Sequence, residues 1–457
     1  MIVRFASVAV LCICATRVDA QSTAIITAAD LRARLSALAH DSTGGRETGQ
    51  PGHAVATRYI ANELQRMGAT PGGAGNSYFQ TVPLRMVSST VTSARLQVAA
   101  DNLKRGVDYL PLLGMSGVPF PRAARVYQRD LVYGGRLGDG ESFDSTLTKD
   151  KIVLFEAPLR DDGQPDYQVW AYAKILALHK KAHAVWIASL DFMPGSVVDR
   201  FTTPWMELED AWRLEPGVPP VIAVTRATAS FARSKRSLGG SVSFETTVTP
   251  LEGGSRNVVA FVRGRDPALA TSFVIVSAHS DHLGRTRDSL RGGVSVFRGA
   301  NAGSGAAALL ELAEYFASDS ARPKRSIAFV WTTGEEQGFL GEKCFLEHPT
   351  FGHGRTFAHV RVDPIGRADS GMLGCAPGGP SNAAAEFQTV TVVGPTSAVD
   401  RTANERVEDV NFDRFAAATR QLAAFVNTLA SPEGSAVPST TRDQLLATCR
   451  GQLAPSR

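Results

Sequence analysis

Apolar side chains recur every three or four positions in two N-terminal segments, residues 28–38 and 53–67. This period is that of one face of an α-helix, so both segments are predicted to be amphipathic helices. Gly68 follows the second segment directly and is typical of a helix C-terminus. The turn-rich residues 41–52 are predicted to link the two helices.

The pattern changes in the middle of the chain, from about residue 106 to residue 247. Short β-type segments separated by Gly, Asp and Pro dominate there, with one helical pattern among them at 167–183. No close group of His and carboxylate residues occurs in this part of the sequence. The middle segment is therefore predicted to be a β-rich domain with a structural role.

Strands and helices alternate after residue 251. The pattern predicts strands at 257–262, 273–277, 326–332 and 357–362, with helices at 304–317 and 338–346. Such alternation implies a mainly parallel sheet with helices on both faces, and ligands of such sheets collect where the strands end. The predicted fold class is α/β, with the β-rich middle domain inserted into it.

Composition and charge narrow the class of protein. The chain has 457 residues, enough for two or three domains, and its 44% hydrophobic and 20% charged residues are typical of a soluble globular protein. Its 48 Lys and Arg residues barely exceed its 44 Asp and Glu residues, and these charges are scattered. No nucleic-acid-binding surface is expected.

The N-terminus has the features of a signal peptide. Arg4 precedes an apolar segment at 5–15, and small residues around 18–20 lead into polar sequence. The apolar segment is shorter than the roughly 20 residues that a membrane span requires. We therefore expect cleavage after residue 20, export to the periplasm or the extracellular space, and no membrane span. Three cysteines then remain and allow at most one disulfide, with its pairing open: Cys344, Cys375 and Cys449.

Residues able to bind a cation follow three of the predicted strands. His279 and Asp281 come after the first, the pair Glu335 and Glu336 after the next, and Asp363 after the third. Zinc binds imidazole and carboxylate donors that converge from different elements. His279 is a candidate ligand that Asp281 would orient, and one of the two glutamates is free to take a proton from a metal-bound water.

Four segments resemble those of the two-zinc exopeptidases, a family that includes leucyl aminopeptidases, aminopeptidase Y and glutamate carboxypeptidase-like proteins. VSAHSDHLG at 276–284 resembles the first-ligand segment, and GAN at 299–301 with SG at 304–305 resembles the second. TGEEQGFLG at 333–341 resembles the segment of base and ligand, and VDPIGR at 362–367 the third-ligand segment. The middle of the chain resembles the protease-associated domain often inserted in these enzymes.

The resemblance implies a reaction and a domain organisation. His279 and Asp363 would bind one zinc, Glu336 would bind the other, and Glu335 would be the general base. The substrate would be a peptide with a free terminus. The implied boundaries are 21–105 and 251–430 for the peptidase domain, 106–250 for the protease-associated domain and 431–457 for a C-terminal tail.

Two positions depart from the family pattern. Ala302 stands where the metal-bridging Asp is expected, and Arg401 stands where the best alignment places the last His ligand. Without the bridging carboxylate the repulsion between two divalent ions is uncompensated, so one zinc or none is expected instead of two. The Gly-, Ala- and Pro-rich residues 364–400 are predicted to be loop, where the family forms its substrate pocket.

Two hypotheses about function follow. The chain is either a zinc-dependent exopeptidase of aminopeptidase type with impaired hydrolysis, or a non-catalytic relative that uses the same scaffold for binding or assembly. The sequence leaves the side-chain specificity and the oligomeric state open.

Overall fold

The computed structural model describes most of the chain, in the segments 25–89, 94–113, 120–137, 148–166, 182–209, 218–287, 294–351, 356–367, 373–378, 387–395, 402, 404–431 and 441–453. The predicted signal peptide, most of the predicted helix at 167–183 and Arg401 lie outside these residues. Within the described segments, the helices are too short or too polar to cross a membrane.

Helices form where the apolar period of three to four residues predicts them. The side chain of Thr27 caps the first helix by accepting a hydrogen bond from the backbone N of Asp30 at 3.1 Å. The described helices are α1 Ala28–Leu38, α2 Pro51–Arg66, α3 Gly195–Thr202, α4 Arg226–Ser234, α5 Ser304–Ala317, α6 Leu340–Glu347, α7 Phe412–Ala430 and α8 Arg442–Leu453.

The strands are short in the first half of the chain and longer in the second. They are β1 Thr70–Pro71, β2 Phe79–Val82, β3 Leu84–Ser89, β4 Arg95–Val98, β5 Asp101–Leu103, β6 Tyr109–Leu112, β7 Ala123–Arg129, β8 Leu131–Arg136, β9 Ile152–Glu156, β10 Ala184–Ala188, β11 Trp205–Leu208, β12 Val221–Val224, β13 Gly240–Pro250, β14 Ser255–Val262, β15 Phe273–His279, β16 Arg285–Arg287, β17 Val294–Val296, β18 Ser326–Thr332, β19 Thr356–Val362, β20 Gly374–Pro377 and β21 Gln388–Val393.

The main sheet has eight strands in the order β1-β14-β18-β15-β19-β21-β20, with β2 also paired to β14. Its four central strands, β18, β15, β19 and β21, are parallel, and the outer strands join them antiparallel. This confirms the predicted α/β class and places the parallel part at the centre of the sheet.

Helices cover both faces of this sheet. Alternate side chains of β14 point to opposite faces, so Val258 and Ala260 belong to the large core under helices α1, α2, α5 and α7. Val259 of the same strand packs on the other side, together with Phe345 of α6. The sheet is therefore buried on two sides, as its apolar strands require.

The prediction that residues 364–400 are loop was wrong. Strands β20 and β21 lie in this interval. Strand β21 pairs parallel with β19, with Val360 opposite Val390, and β20 pairs antiparallel with β21. The alternating Thr and Val residues of β21 are a β-strand signal, but the surrounding Gly, Ala and Pro residues obscured it.

The middle of the chain forms two further sheets with a core of its own. One has five strands in the order β6-β12-β10-β9-β8 and is parallel except at β6; the other is antiparallel and is built around β13. No described strand between residues 106 and 250 joins the main sheet. Strands β3, β4 and β5, which precede residue 106, belong to the antiparallel sheet.

The C-terminal segment contains a packed helix rather than an extended tail. Helix α8 buries Leu445, Leu446 and Leu453 in the main core. A disulfide joins Cys449 of this helix to Cys375 of β20, and Cys344 is a buried free cysteine. The sequence left this pairing open.

Candidate active site

The parallel strands bring the predicted site residues to one edge of the sheet. His279 is the last residue of β15 and lies opposite Thr332, the last residue of β18, so Glu335 and Glu336 follow at the same edge. Asp363 follows the last residue of β19, which is parallel to β15. The three strand ends singled out in the sequence are therefore neighbours in space.

His279 is buried and surrounded by acidic groups. Its Nδ1 lies 3.1 Å from the backbone oxygen of Asp281, 3.7 Å from the Oδ1 of the same residue and 3.9 Å from the Oε2 of Glu335. Burial lowers the pKa of His279, but the negative charges of Glu335, Asp281 and Glu336 outweigh it and raise the pKa to about 9. The imidazole of His279 therefore lies next to Asp281 and Glu335, two of the predicted site residues.

Asp281 holds the loop after β15 in place. Its Oδ2 accepts hydrogen bonds from the Oγ1 of Thr48 at 2.8 Å and from the backbone N of Glu335 at 3.1 Å. It lies beside His279, where an orienting residue is expected, but the ring Nδ1 donates its hydrogen bond to the backbone carbonyl oxygen of Asp281. Asp281 thereby links the loops that follow β15 and β18.

Glu336 points to a different histidine. Its Oε1 lies 3.3 Å from the Nδ1 of His282, which is also buried. The ring of His282 packs against Gly299, where a Cβ atom would come within 2.4 Å of the ring and where φ is +57°. Gly299 thus fixes the position of His282 and, through it, that of Glu336.

Asp363 is paired with a residue that the sequence analysis did not single out. The Nη2 of Arg361 lies 2.8 Å from the Oδ1 of Asp363 and 3.0 Å from the Oε1 of Glu335. Side chains at i and i+2 of a strand share a face, so Arg361 lies on the same face as Asp363. A charged residue two positions before a predicted ligand, inside an apolar strand, was the signal available in the sequence.

The donor set does not fit the two-zinc centre that the resemblance implies. The Nδ1 of His279 is hydrogen-bonded to the backbone oxygen of Asp281, so Nε2 is the ring nitrogen with which His279 would bind a metal. The carboxylates of Glu335 and Asp363, however, are engaged by a guanidinium. Over the described segments, no group of three or more His, Cys, Asp or Glu side chains is arranged to hold a metal ion.

A different acid contacts the segment that lacks the bridging Asp. The buried carboxylate of Glu405 accepts hydrogen bonds from the backbone N of Asn301 and, at 3.1 Å, from the backbone N of Ala302. Its negative charge also acts on the buried guanidinium of Arg46, which donates to the backbone oxygen of Gly299 at 2.9 Å. Glu405 thus fixes the loop in front of α5, and the sequence analysis did not identify it.

A chain of buried hydrogen bonds extends from this site to helix α2. Thr48, which donates to Asp281, lies 3.3 Å from the Oγ1 of Thr333, and that atom lies 2.8 Å from the Oγ of Ser255. The ring of His53 completes the chain, with Nδ1 3.3 Å from Ser255. Its Nε2 lies 3.0 Å from the Oγ of Ser280. Burial disfavours the charged imidazole and lowers the pKa of His53 to about 4.

We expect His53 to lower the stability of the protein as the pH falls from about 6.5 to about 4. In this window the unfolded chain takes up a proton on His53 that the folded chain does not, which corresponds to a loss on the order of 3 kcal/mol from this residue. Urea denaturation at several pH values measures it, and His53→Gln should flatten the slope. His40→Gln, which removes an exposed histidine, is the matched control. An unchanged slope in His53→Gln would contradict the assignment.

Comparison with known proteins gives one family match and several distant relatives. Residues 257–436 match the sequence model of peptidase family M28. A vacuolar membrane protease of Verticillium alfalfae is 30% identical over 87 residues, which are 19% of this chain and 8% of that protein. The vacuolar membrane protease of Sclerotinia sclerotiorum is 29% identical over 146 residues, 30% of this chain and 12% of that protein. The chain thus spans about a tenth of the length of these relatives.

The fold is similar to that of a solved aminopeptidase. The structure of an aminopeptidase from Aneurinibacillus sp. strain AM-1 superposes with a TM-score of 0.52, covering 93% of this chain and 98% of that chain at 16% identity. At this identity the similarity concerns the fold. The matched segment 257–436 contains the five predicted site residues. Residues 257–436 of this chain therefore match peptidase family M28, and the chain has the fold of a solved aminopeptidase.

Proposed function

We propose that this protein is an exported exopeptidase of aminopeptidase type, acting on peptides with a free terminus, in which hydrolysis is impaired. The family assignment and the gathering of His279, Asp281, Glu335, Glu336 and Asp363 at one sheet edge support the reaction class. The ion pairs of Arg361 with Glu335 and Asp363 support the impairment.

The impairment follows from what Glu335 has to do. A general base takes a proton from the attacking water, and it must be free to approach that water. Glu335 instead lies 3.0 Å from the Nη2 of Arg361, and this ion pair occupies one oxygen of its carboxylate. Ala302, whose methyl group supplies no carboxylate, removes the bridge that two zinc ions need.

The proposal includes a location and a domain. A signal peptide at 1–20 and the disulfide between Cys375 and Cys449 are both in keeping with export to an oxidising compartment, periplasmic or extracellular. The middle of the chain, with its separate core, would be the protease-associated domain. A non-catalytic binding protein is the second candidate, and the same ion pairs of Arg361 favour it.

Metal content and turnover of the purified chain test the proposal together. We expect one zinc or none per chain. We expect the rate of hydrolysis of aminoacyl substrates to be roughly 10²–10⁴-fold lower than the rate of an enzyme whose general base is free to act. Glu335→Gln should change the residual rate little. Two bound zinc ions with rapid turnover that Glu335→Gln abolishes would contradict the impairment. Peptide binding measured by calorimetry, with no turnover at all, would favour the second candidate.

A further inference from the structure

Arg361 is a buried cation at the edge where the ligands gather. It lies on β19, two residues before Asp363, and its side chain is 9% exposed. Few arginines are buried to this extent without several acidic partners. The groups that contact Arg361 therefore indicate the role of its positive charge.

Three carboxylates and one aromatic ring surround the guanidinium. Its Nη2 contacts Asp363 and Glu335 at 2.8 and 3.0 Å, and its Nε lies 3.4 Å from the Oε2 of Glu342. The ring of Phe339 stacks on it, with 4.6 Å from the guanidinium carbon to the ring centroid. Phe339 adopts a left-handed backbone conformation, with φ of +62°, which is uncommon for an aromatic residue. The guanidinium of Arg361 is thus held by acidic groups that match its charge and by an aromatic ring that packs on its plane.

Two of these carboxylates are the ones that a metal centre requires. In the family assignment Asp363 is a ligand and Glu335 is the base, and both are bound here by one guanidinium. A divalent ion in reach of His279 and Asp363 would meet a fixed positive charge beside it, and the Coulomb repulsion would oppose its binding. Arginine suits this role because it stays protonated at all ordinary pH values and binds carboxylates through a rigid fork.

We infer that Arg361 replaces the metal ion: its guanidinium supplies the positive charge that holds Glu335 and Asp363 together, and it excludes divalent cations from this edge of the sheet. This inference rests on the proposed function only for the assignment of this edge as the metal site. It concerns the affinity for metal rather than turnover, so the two can fail separately.

Zinc binding to the purified chain tests the inference. The probe is zinc alone, titrated calorimetrically and measured by elemental analysis after dialysis. Arg361→Leu removes the charge without adding a donor atom and frees Asp363 to join His279 as a ligand. We expect this variant to bind zinc roughly a hundredfold more tightly than the unmodified chain, because the freed carboxylate and the loss of the repelling charge act together.

Two variants separate charge from other causes. Arg361→Lys keeps the positive charge and should gain little affinity. Arg66→Leu removes a guanidinium that also binds two acids, Glu63 and Glu314, and it should gain none. If Arg361→Leu folds poorly, Arg361→Leu with Glu342→Gln avoids leaving the buried acid without its cation, and the same gain is expected.

Three outcomes would overturn the inference. The first is tight zinc binding by the unmodified chain, equal to that of Arg361→Leu. The second is a folded Arg361→Leu variant, or the double variant, that gains no affinity. The third is an equal gain in Arg361→Lys, because the retained charge would then not be the cause of exclusion. Absence of peptide turnover in every variant would leave the metal result intact and bear on the proposed function alone.

Discussion

Replacing Arg34 by methionine should lower the free energy of unfolding by about 3–5 kcal/mol, because it leaves the buried carboxylate of Glu311 without its cation. Arg34 of α1 forms ion pairs with Glu311 and Glu314 of α5, and its side chain is only 4% exposed. Glu311 also accepts a hydrogen bond from the backbone N of Thr27 at 3.0 Å. The network therefore joins the start of α1 to the helix that follows the Ala302 loop.

Arg66 provides the comparison for this prediction. It binds the same Glu314 at 3.0 Å, but its side chain is 37% exposed, so water stabilises the charges when the pair is lost. Arg66→Met should therefore cost less than about 1 kcal/mol in urea denaturation. Equal losses in Arg34→Met and Arg66→Met would mean that burial does not decide the contribution of these ion pairs.

The local elements of the fold were predictable because local spacing determines them. Helices Ala28–Leu38 and Ser304–Ala317 and strand Ser326–Thr332 have the predicted bounds, since their apolar residues follow one period from end to end. Strand Gln388–Val393 was missed because it is short and lies between Gly- and Pro-rich stretches. Its place in the sheet depends on pairing with Thr356–Val362, which no local pattern records.

The gathering of the candidate site residues was predictable from the sequence, but their counter-charges were not. His279, Glu335 and Asp363 were found because parallel strands bring their C-terminal ends to one edge. Arg361 was missed because the groups that a long side chain contacts depend on the folded structure and not on the neighbouring sequence. The contact of Glu405 with Asn301 joins residues 104 positions apart, so nothing in the neighbourhood of either residue reveals it.

Glu405→Ala should lower the free energy of unfolding by about 3 kcal/mol. The side chain is fully buried, and its loss leaves the backbone N–H groups of Asn301 and Ala302 without an acceptor. The buried guanidinium of Arg46 also loses a nearby negative charge. Thermal and urea denaturation measure the loss, and the amide resonances of residues 301 and 302 should shift most, because their acceptor is gone.

The effect should extend from this loop to the candidate ligands. Glu405 holds the loop that contains Gly299, and Gly299 packs against the ring of His282, whose Nδ1 lies 3.3 Å from Glu336. A loosened loop would therefore move His282 and change its imidazole resonances. Glu408→Ala, which removes an exposed acid three residues away, should change stability by less than about 0.5 kcal/mol and leave those resonances in place. Similar effects of both variants would show that Glu405 does not position the loop.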